Sequence, residues 1–139
     1  MRGFCRKFSA QHQVEVHFSH QAVPDDLPGE ISLCLFRVMQ EALMNALKHS
    51  GAKSFDVALR ASNETIYLSV RDAGVGFDTV EGLKGYGIGL TSIRERTRFV
   101  NGKVIIHSGP NAGTTIEVEV PLKSELAQAT WLSPTVSEE

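Results

Sequence analysis

The sequence predicts a two-layer α/β sandwich, one mixed and mostly antiparallel sheet with helices packed on one face. Three observations carry that expectation. Two long segments have helical periodicity, five short ones alternate apolar and polar residues, and the chain order is helix, strand, helix, two strands, glycine-rich loop, helix, two strands. With 139 residues, 42% hydrophobic and 22% charged, the chain has the size and composition of one globular domain. Its net charge of −2 gives no field to hold a polyanion, which disfavours nucleic-acid binding. No apolar run approaches the roughly 18 residues of a membrane span, and the basic Met1 to Phe8 lacks the apolar stretch of a signal peptide. A cytoplasmic domain without membrane contact is expected, although a parent protein can be membrane-anchored elsewhere.

Arg2 to about His12 reads as a first helix. Val14, Val16 and Phe18 alternate with Glu15, His17 and Ser19, a strand with one buried face. The breaker cluster Ala22 to Gly29 holds Pro24, Asp25, Asp26 and Pro28. The longest element follows, a helix from about Glu30 to Ser50 closed by Gly51. Lys53 to Ala61 and Thr65 to Asp72 alternate around Ser62, Asn63 and Glu64, an antiparallel hairpin. Ala73 to Gly89 carries six glycines, too many for a regular element, and such a loop usually has a function. With four of those glycines and little to bury, Thr79 to Gly89 is expected to be mobile when no ligand is bound. A helix from about Leu90 to Val100 stops at Asn101 and Gly102. The strands Lys103 to Ser108 and Thr114 to Pro121 flank the turn Gly109 to Gly113. Residues 123–139 have no periodicity and read as a loose tail, which leaves 1–122 as the domain. Cys5 and Cys34 match no paired metal or redox spacing, and Cys34 lies in an apolar stretch.

The polar residues of the long helix are not scattered. Arg37, Glu41, Asn45 and Lys48 form one stripe at i, i+4, i+8 and i+11, with His49 one turn beyond Asn45. Alone, the stripe reads as a solvated face with a weak Arg37 to Glu41 pair. Asp72 tells more, because it shares strand parity with the core residues Ile66, Leu68 and Val70. A carboxylate at the core's edge needs a donor, or it loses its charge. Thr114 likewise shares parity with Ile116, Val118 and Val120. A flat heterocycle with an exocyclic amine would supply the donor. The competing reading makes Asp72 a turn-starting residue before Ala73 and Gly74. Glycines at 74 and 76, and at 85, 87 and 89 before a helix, suit close backbone approach and phosphate at a helix N-terminus. No Gly-Lys-Ser or Gly-Lys-Thr follows and no strand-to-helix turn precedes, which excludes the Walker and Rossmann patterns.

Together these residues resemble the Bergerat-fold ATPases: gyrase, the heat-shock chaperone ATPases, histidine kinases and MutL-type repair proteins. EALMNALKH at 41–49 is similar to their N box, DAGVG at 72–76 to the G1 box, GYGIGL at 85–90 to the G2 box, and GTTIEVEVP from Gly113 to their final strand. Within that superfamily the chain is most similar to the ATP-binding catalytic domain of bacterial sensor histidine kinases with a short lid. The resemblance implies ATP and Mg²⁺ as ligands. It implies that Asp72 accepts from the adenine amino group, supported by Thr114 directly or through water, and that Asn45 ligates Mg²⁺. Lys48 would bind phosphate and His49 would lie near the ribose or lid. Gly74 and Gly76 would admit the nucleotide, while Gly85, Tyr86, Gly87, Ile88, Gly89 and Leu90 would form the lid hinge and the phosphate-facing helix start. Glu41 would activate the acceptor histidine or orient the metal, or serve as a general base as in water-splitting relatives.

A histidine kinase also needs a dimerising helical hairpin with the acceptor histidine. None of His12, His17, His20, His49 or His107 has a matching context, so the chain is expected to be the C-terminal piece of a larger kinase. Its partners would be that hairpin and, indirectly, a response regulator. His12, His17 and His20 fit no single helix face and read as solvated histidines. Two alternatives compete: a free-standing anti-sigma-factor serine kinase, and a docking module without catalysis.

Overall fold

The protein is described here from a computed structural model covering residues 1–74, 87–108 and 113–122. Its elements are α1 (Arg2–His12), β1 (Glu15–Gln21), α2 (Gly29–His49), β2 (Ser54–Ser62), β3 (Thr65–Asp72), α3 (Gly87–Phe99), β4 (Lys103–Ser108) and β5 (Thr114–Pro121). The strands form one sheet in the order β1-β2-β3-β5-β4, with β1 parallel to β2 and every other pair antiparallel. This is the expected mixed two-layer sandwich. The lid expected at 79–89 and the tail expected at 123–139 fall largely or wholly outside the described residues.

Strand alternation makes the two layers adhere. Along β3, Ile66, Leu68, Val70 and Asp72 are buried, and along β5, Thr114, Ile116, Val118 and Val120 are. The other parity meets solvent, where the Arg60 guanidinium stacks over the Tyr67 ring at 4.0 Å. Across the inner face lies α2, burying Ile31, Leu35, Val38, Met39, Ala42 and Leu43 among others. Each of the larger of these, Ile31, Leu35, Val38, Met39 and Leu43, stabilises the fold by about 1.5 to 3 kcal/mol. Helix α1 packs on α2 through Phe4 against Phe36, 5.6 Å between ring centres, and through Cys5 Sγ against Met39 Sδ at 3.8 Å. Cys34 donates to the Arg96 carbonyl of α3 at 3.4 Å. Both cysteines are free and buried, and burial pushes their thiols up from the usual range.

The element ends follow local chemistry. Gln13 closes α1 in the left-handed conformation, φ 56°, and its N–H reaches the Ser9 carbonyl. Asn63 and Glu64 turn β2 into β3 with φ of 52° and 63°, the two left-handed residues that match a hairpin's twist. The Glu64 carbonyl accepts the Leu122 N–H at 2.7 Å, tying the turn to the end of β5. Helix α3 begins at Gly87 rather than at the expected Leu90. The first turn of a helix has unbonded N–H groups in any case, so glycines there are less costly than in its interior.

Candidate active site

Asp72 ends β3 opposite Thr114 at the start of β5, so the two are register partners at one end of the sheet. Glu41, Asn45, Lys48 and His49 lie on the C-terminal half of α2. The stripe on α2 is not a uniformly solvated face. Arg37 and Lys48 are exposed, Glu41 is half-buried, and Asn45 is 6% exposed. The expected Arg37 to Glu41 pair is replaced by a bond from Arg37 Nη1 to Gln40 Oε1 at 3.3 Å. Among the described residues, buried Asn45 finds no hydrogen-bond partner for its Nδ2, an unusual state for an interior amide.

Asp72 is buried at the end of β3, as its parity predicts, with 4% exposure. Its Oδ1 accepts the Gly74 N–H at 2.8 Å, the i to i+2 bond of a turn-starting aspartate. The turn reading is therefore realised as well, although it leaves acceptor capacity on the carboxylate. Burial raises the Asp72 pKa above the ordinary carboxylate range. The backbone N–H groups of Gly74 and Thr114 pull it part of the way back.

The G1-like turn is pinned to the end of α2. A Cβ on Gly74 would lie 2.3 Å from the Ser50 carbonyl oxygen and 2.6 Å from Ser50 Cβ, so only glycine permits this approach. Ser50 is the C-cap of α2, and through it the loop after Asp72 rests on the helix end that carries Lys48 and His49. Gly113 has φ 76°, and its Cβ would lie 2.2 Å from the Asp72 carbonyl, which presses the start of β5 against the end of β3. Sequence reasoning missed these roles for Ser50 and Gly113.

It also missed Ser108. This residue shares parity with Val104 and Ile106 on β4, the signal that exposed Asp72 and Thr114 on their strands. Its hydroxyl lies 3.0 Å from Thr114 Oγ1 and donates to the Gly113 carbonyl at 3.1 Å. Of the G2-like residues, Gly87, Ile88, Gly89 and Leu90 form the first turn of α3, and Leu90 is buried. Gly76, Gly85 and Tyr86 lie outside the described residues. Among the described residues no cluster of three His, Cys, Asp or Glu side chains is arranged to hold a metal. His17 pairs with Glu15 at 3.4 Å, and the His12 ring lies tilted against Phe8. No helix of the described residues is long and apolar enough to cross a membrane.

The residues present nevertheless fit a hard cation that keeps most of its waters. Such an ion needs few protein ligands, and Asn45, buried and with an Nδ2 that finds no partner among the described residues, carries an amide oxygen of the kind it takes. Half-buried Glu41, one turn earlier on the same face, adds carboxylate oxygens.

Comparison with known proteins bears on the family and the fold. Residues 30–124 match the family described as histidine kinase-, DNA gyrase B-, and HSP90-like ATPase. The chain is 36% identical over 121 residues to the oxygen sensor histidine kinase NreB of Staphylococcus carnosus, covering 87% of this chain and 35% of that protein. It is 30% identical over 125 residues to the signal transduction histidine-protein kinase/phosphatase DegS of Brevibacillus brevis, covering 90% and 32%. The chain thus spans about a third of the length of these curated relatives. In fold it is similar to the histidine kinase domain of the Erythrobacter litoralis EL346 blue-light activated histidine kinase, with a TM-score of 0.69, 22% identity and coverage of 86% of this chain and 62% of that one. Neither the serine-kinase nor the docking-module alternative is favoured by these likenesses. A matched family over most of its length, a five-stranded sheet of the same architecture and a buried aspartate before a glycine turn converge, and the chain belongs to the histidine kinase-, DNA gyrase B- and HSP90-like ATPase family.

Proposed function

We propose that this domain binds ATP with Mg²⁺ and delivers the γ-phosphoryl group to a histidine on a helical hairpin outside this chain, from which a response regulator receives it. The observation that carries the reading is Asp72: a buried carboxylate, fixed by Gly74, with acceptor capacity left beside Thr114. That acceptor suits the exocyclic amine of adenine, with Thr114 in support. Two relatives that cover most of the chain are histidine kinases, which supports phosphoryl transfer to histidine.

Each residue then has a physical task. Asn45 offers its amide oxygen to Mg²⁺, and when bound the ion would neutralise charge on the phosphate oxygens. Glu41, one turn earlier on α2, orients the metal waters or takes the proton of the attacking imidazole. Lys48 brings a point charge to the phosphates from the last turn of α2, and His49 lies toward the ribose or lid. Gly74 and Gly76 let the backbone come close to the nucleotide. Gly85, Tyr86, Gly87, Ile88, Gly89 and Leu90 provide the hinge and the N–H groups at the start of α3. Catalysis is mostly positioning and charge stabilisation.

The test uses γ-labelled ATP and Mg²⁺ with a histidine-bearing helical hairpin supplied in trans. Label on the hairpin that is labile to acid and stable to base marks phosphohistidine. An acid-stable phosphoester would instead support the serine-kinase reading, and absence of nucleotide binding would remove both.

A further inference from the structure

Three polar residues stand in a row across adjacent strands at the end of the sheet. Asp72 on β3 is the register partner of Thr114 on β5, and Thr114 is the partner of Ser108 on β4. Asp72 and Thr114 are each 4% exposed, so their hydrogen bonds are made away from bulk water. Among the described residues the Ser108 hydroxyl has two acceptors within reach, Thr114 Oγ1 at 3.0 Å and the Gly113 carbonyl at 3.1 Å, and it has one hydrogen to give.

That single hydrogen sets the polarity of Thr114. When Ser108 donates to the Gly113 carbonyl, the bond between the two hydroxyls must run from Thr114 to Ser108, and the Thr114 hydrogen points away from Asp72. When Ser108 donates to Thr114, Thr114 becomes the acceptor there, and its own hydrogen is released to point into the site. The amino edge of adenine presents a donor, N6–H, beside an acceptor, N1. Guanine presents the reverse, an acceptor beside N1–H. Asp72 supplies an acceptor, so a donor next to it matches adenine and opposes guanine.

We propose that Ser108 is a positioning residue for base recognition: by giving its hydrogen to Thr114 it turns the Thr114 hydroxyl into a donor toward purine N1, directly or through one water. The inference rests on the adenine assignment proposed above. Ser108 does not touch the base; it acts through Thr114. The Gly113 carbonyl takes up the Ser108 hydrogen when the site holds no nucleotide.

The experiment compares ADP with 1-deaza-ADP, in which a C–H replaces N1, by calorimetric titration of the native chain, Ser108→Ala, Ser108→Cys and Ser108→Thr. The native chain should bind ADP about fivefold more tightly than the deaza analogue, the worth of one net hydrogen bond. Ser108→Ala should lose most of that ratio, and Ser108→Cys, of similar volume but a weak donor, should lose it too. Ser108→Thr, which keeps the hydroxyl, should retain it. Because the ratio is taken within each variant, partial unfolding cancels from it. Equal losses for both nucleotides in Ser108→Ala would show that Ser108 only supports the strand end. A native chain indifferent to N1 would also overturn the proposal, since Thr114 would then donate nothing to the base. Failure of the native chain to bind ADP at all is a distinct result, which removes the adenine assignment and this inference with it.

Discussion

Replacing Asp72 by asparagine separates what the carboxylate does for the fold from what it does for a ligand. Oδ1 of Asp72 already accepts the Gly74 N–H at 2.8 Å, and the Thr114 N–H also lowers the carboxylate's pKa. An amide has one oxygen. If that oxygen keeps Gly74, the NH₂ faces both Thr114 N–H and the incoming adenine amine, a donor against donors. Losing one bond to a charged acceptor, with the partner left unsatisfied, costs about 1 to 3 kcal/mol in nucleotide binding. A central value of about 2 kcal/mol weakens Kd about thirtyfold. At a free ADP concentration one hundred times the native Kd, the native domain gains about 2.7 kcal/mol of stability. That is a rise in Tm of about 8 to 13 °C for a domain of this size. Under the same conditions the variant gains about 0.9 kcal/mol, or about 3 °C. Without nucleotide the variant should melt close to the native chain, because relief of a buried charge offsets the lost Thr114 bond. The assay is a thermal-shift titration of both proteins with ADP and GDP, and GDP should show the smaller difference between them. An undiminished ADP shift in Asp72→Asn, or equal losses for ADP and GDP, would refute the adenine assignment and leave Asp72 as a turn residue only.

The pH dependence of the same pair tests the direction of the Asp72 shift. Burial raises the folded-state pKa above the unfolded value, so this group's stabilising contribution is complete below about pH 4 and fades as pH rises through the folded pKa. The native-minus-Asp72→Asn difference in urea stability should therefore become less favourable to the native chain as pH rises from that point; an increase would contradict the burial argument. Gly74→Ala should cost about 1 to 3 kcal/mol in urea unfolding, because a Cβ there meets the Ser50 carbonyl, a backbone atom that cannot rotate aside. Asn45→Ala should leave stability without nucleotide within about 1 kcal/mol, since its Nδ2 makes no bond among the described residues, while abolishing the Mg²⁺-dependent part of the ATP-induced Tm shift. Persistence of that Mg²⁺ effect would take the metal away from Asn45. Ala22→Gly should stabilise the fold by about 0.5 to 1 kcal/mol by relieving an exposed left-handed non-glycine residue, and unchanged urea midpoints would show that φ 58° costs nothing here.

By itself the sequence determined the layers and the face of the sheet on which Asp72 and Thr114 lie. Period-2 alternation is a local property, so the burial of Asp72 and Thr114 on the core face could be read from Ile66, Leu68 and Val70 and from Ile116, Val118 and Val120. The long helix was equally legible, because its apolar surface repeats at helical spacing over five turns of sequence. The spacing of Glu41, Asn45 and Lys48 placed them on one stripe, but spacing could not say that Asn45 would be buried while Arg37 and Lys48 stay exposed. That depends on which part of the stripe faces another element, and α2's tilt over the sheet is a tertiary property.

Only the tertiary structure decided the pairings. Strand order β1-β2-β3-β5-β4 puts the last strand in sequence beside the third, and this register alone aligns Asp72, Thr114 and Ser108. Ser108 carried the same parity signal as the other two, yet its meaning came from a partner strand that no local pattern names. Gly74 is similar: its sequence context suggested close approach of the backbone to a ligand, and the fold adds a second demand for glycine, the Ser50 carbonyl and Cβ that lie where a Gly74 Cβ would be. Local periodicity fixes which side of an element a residue occupies. Which residue it meets there is set by the packing of distant segments, and that is where the chemistry of this site resides.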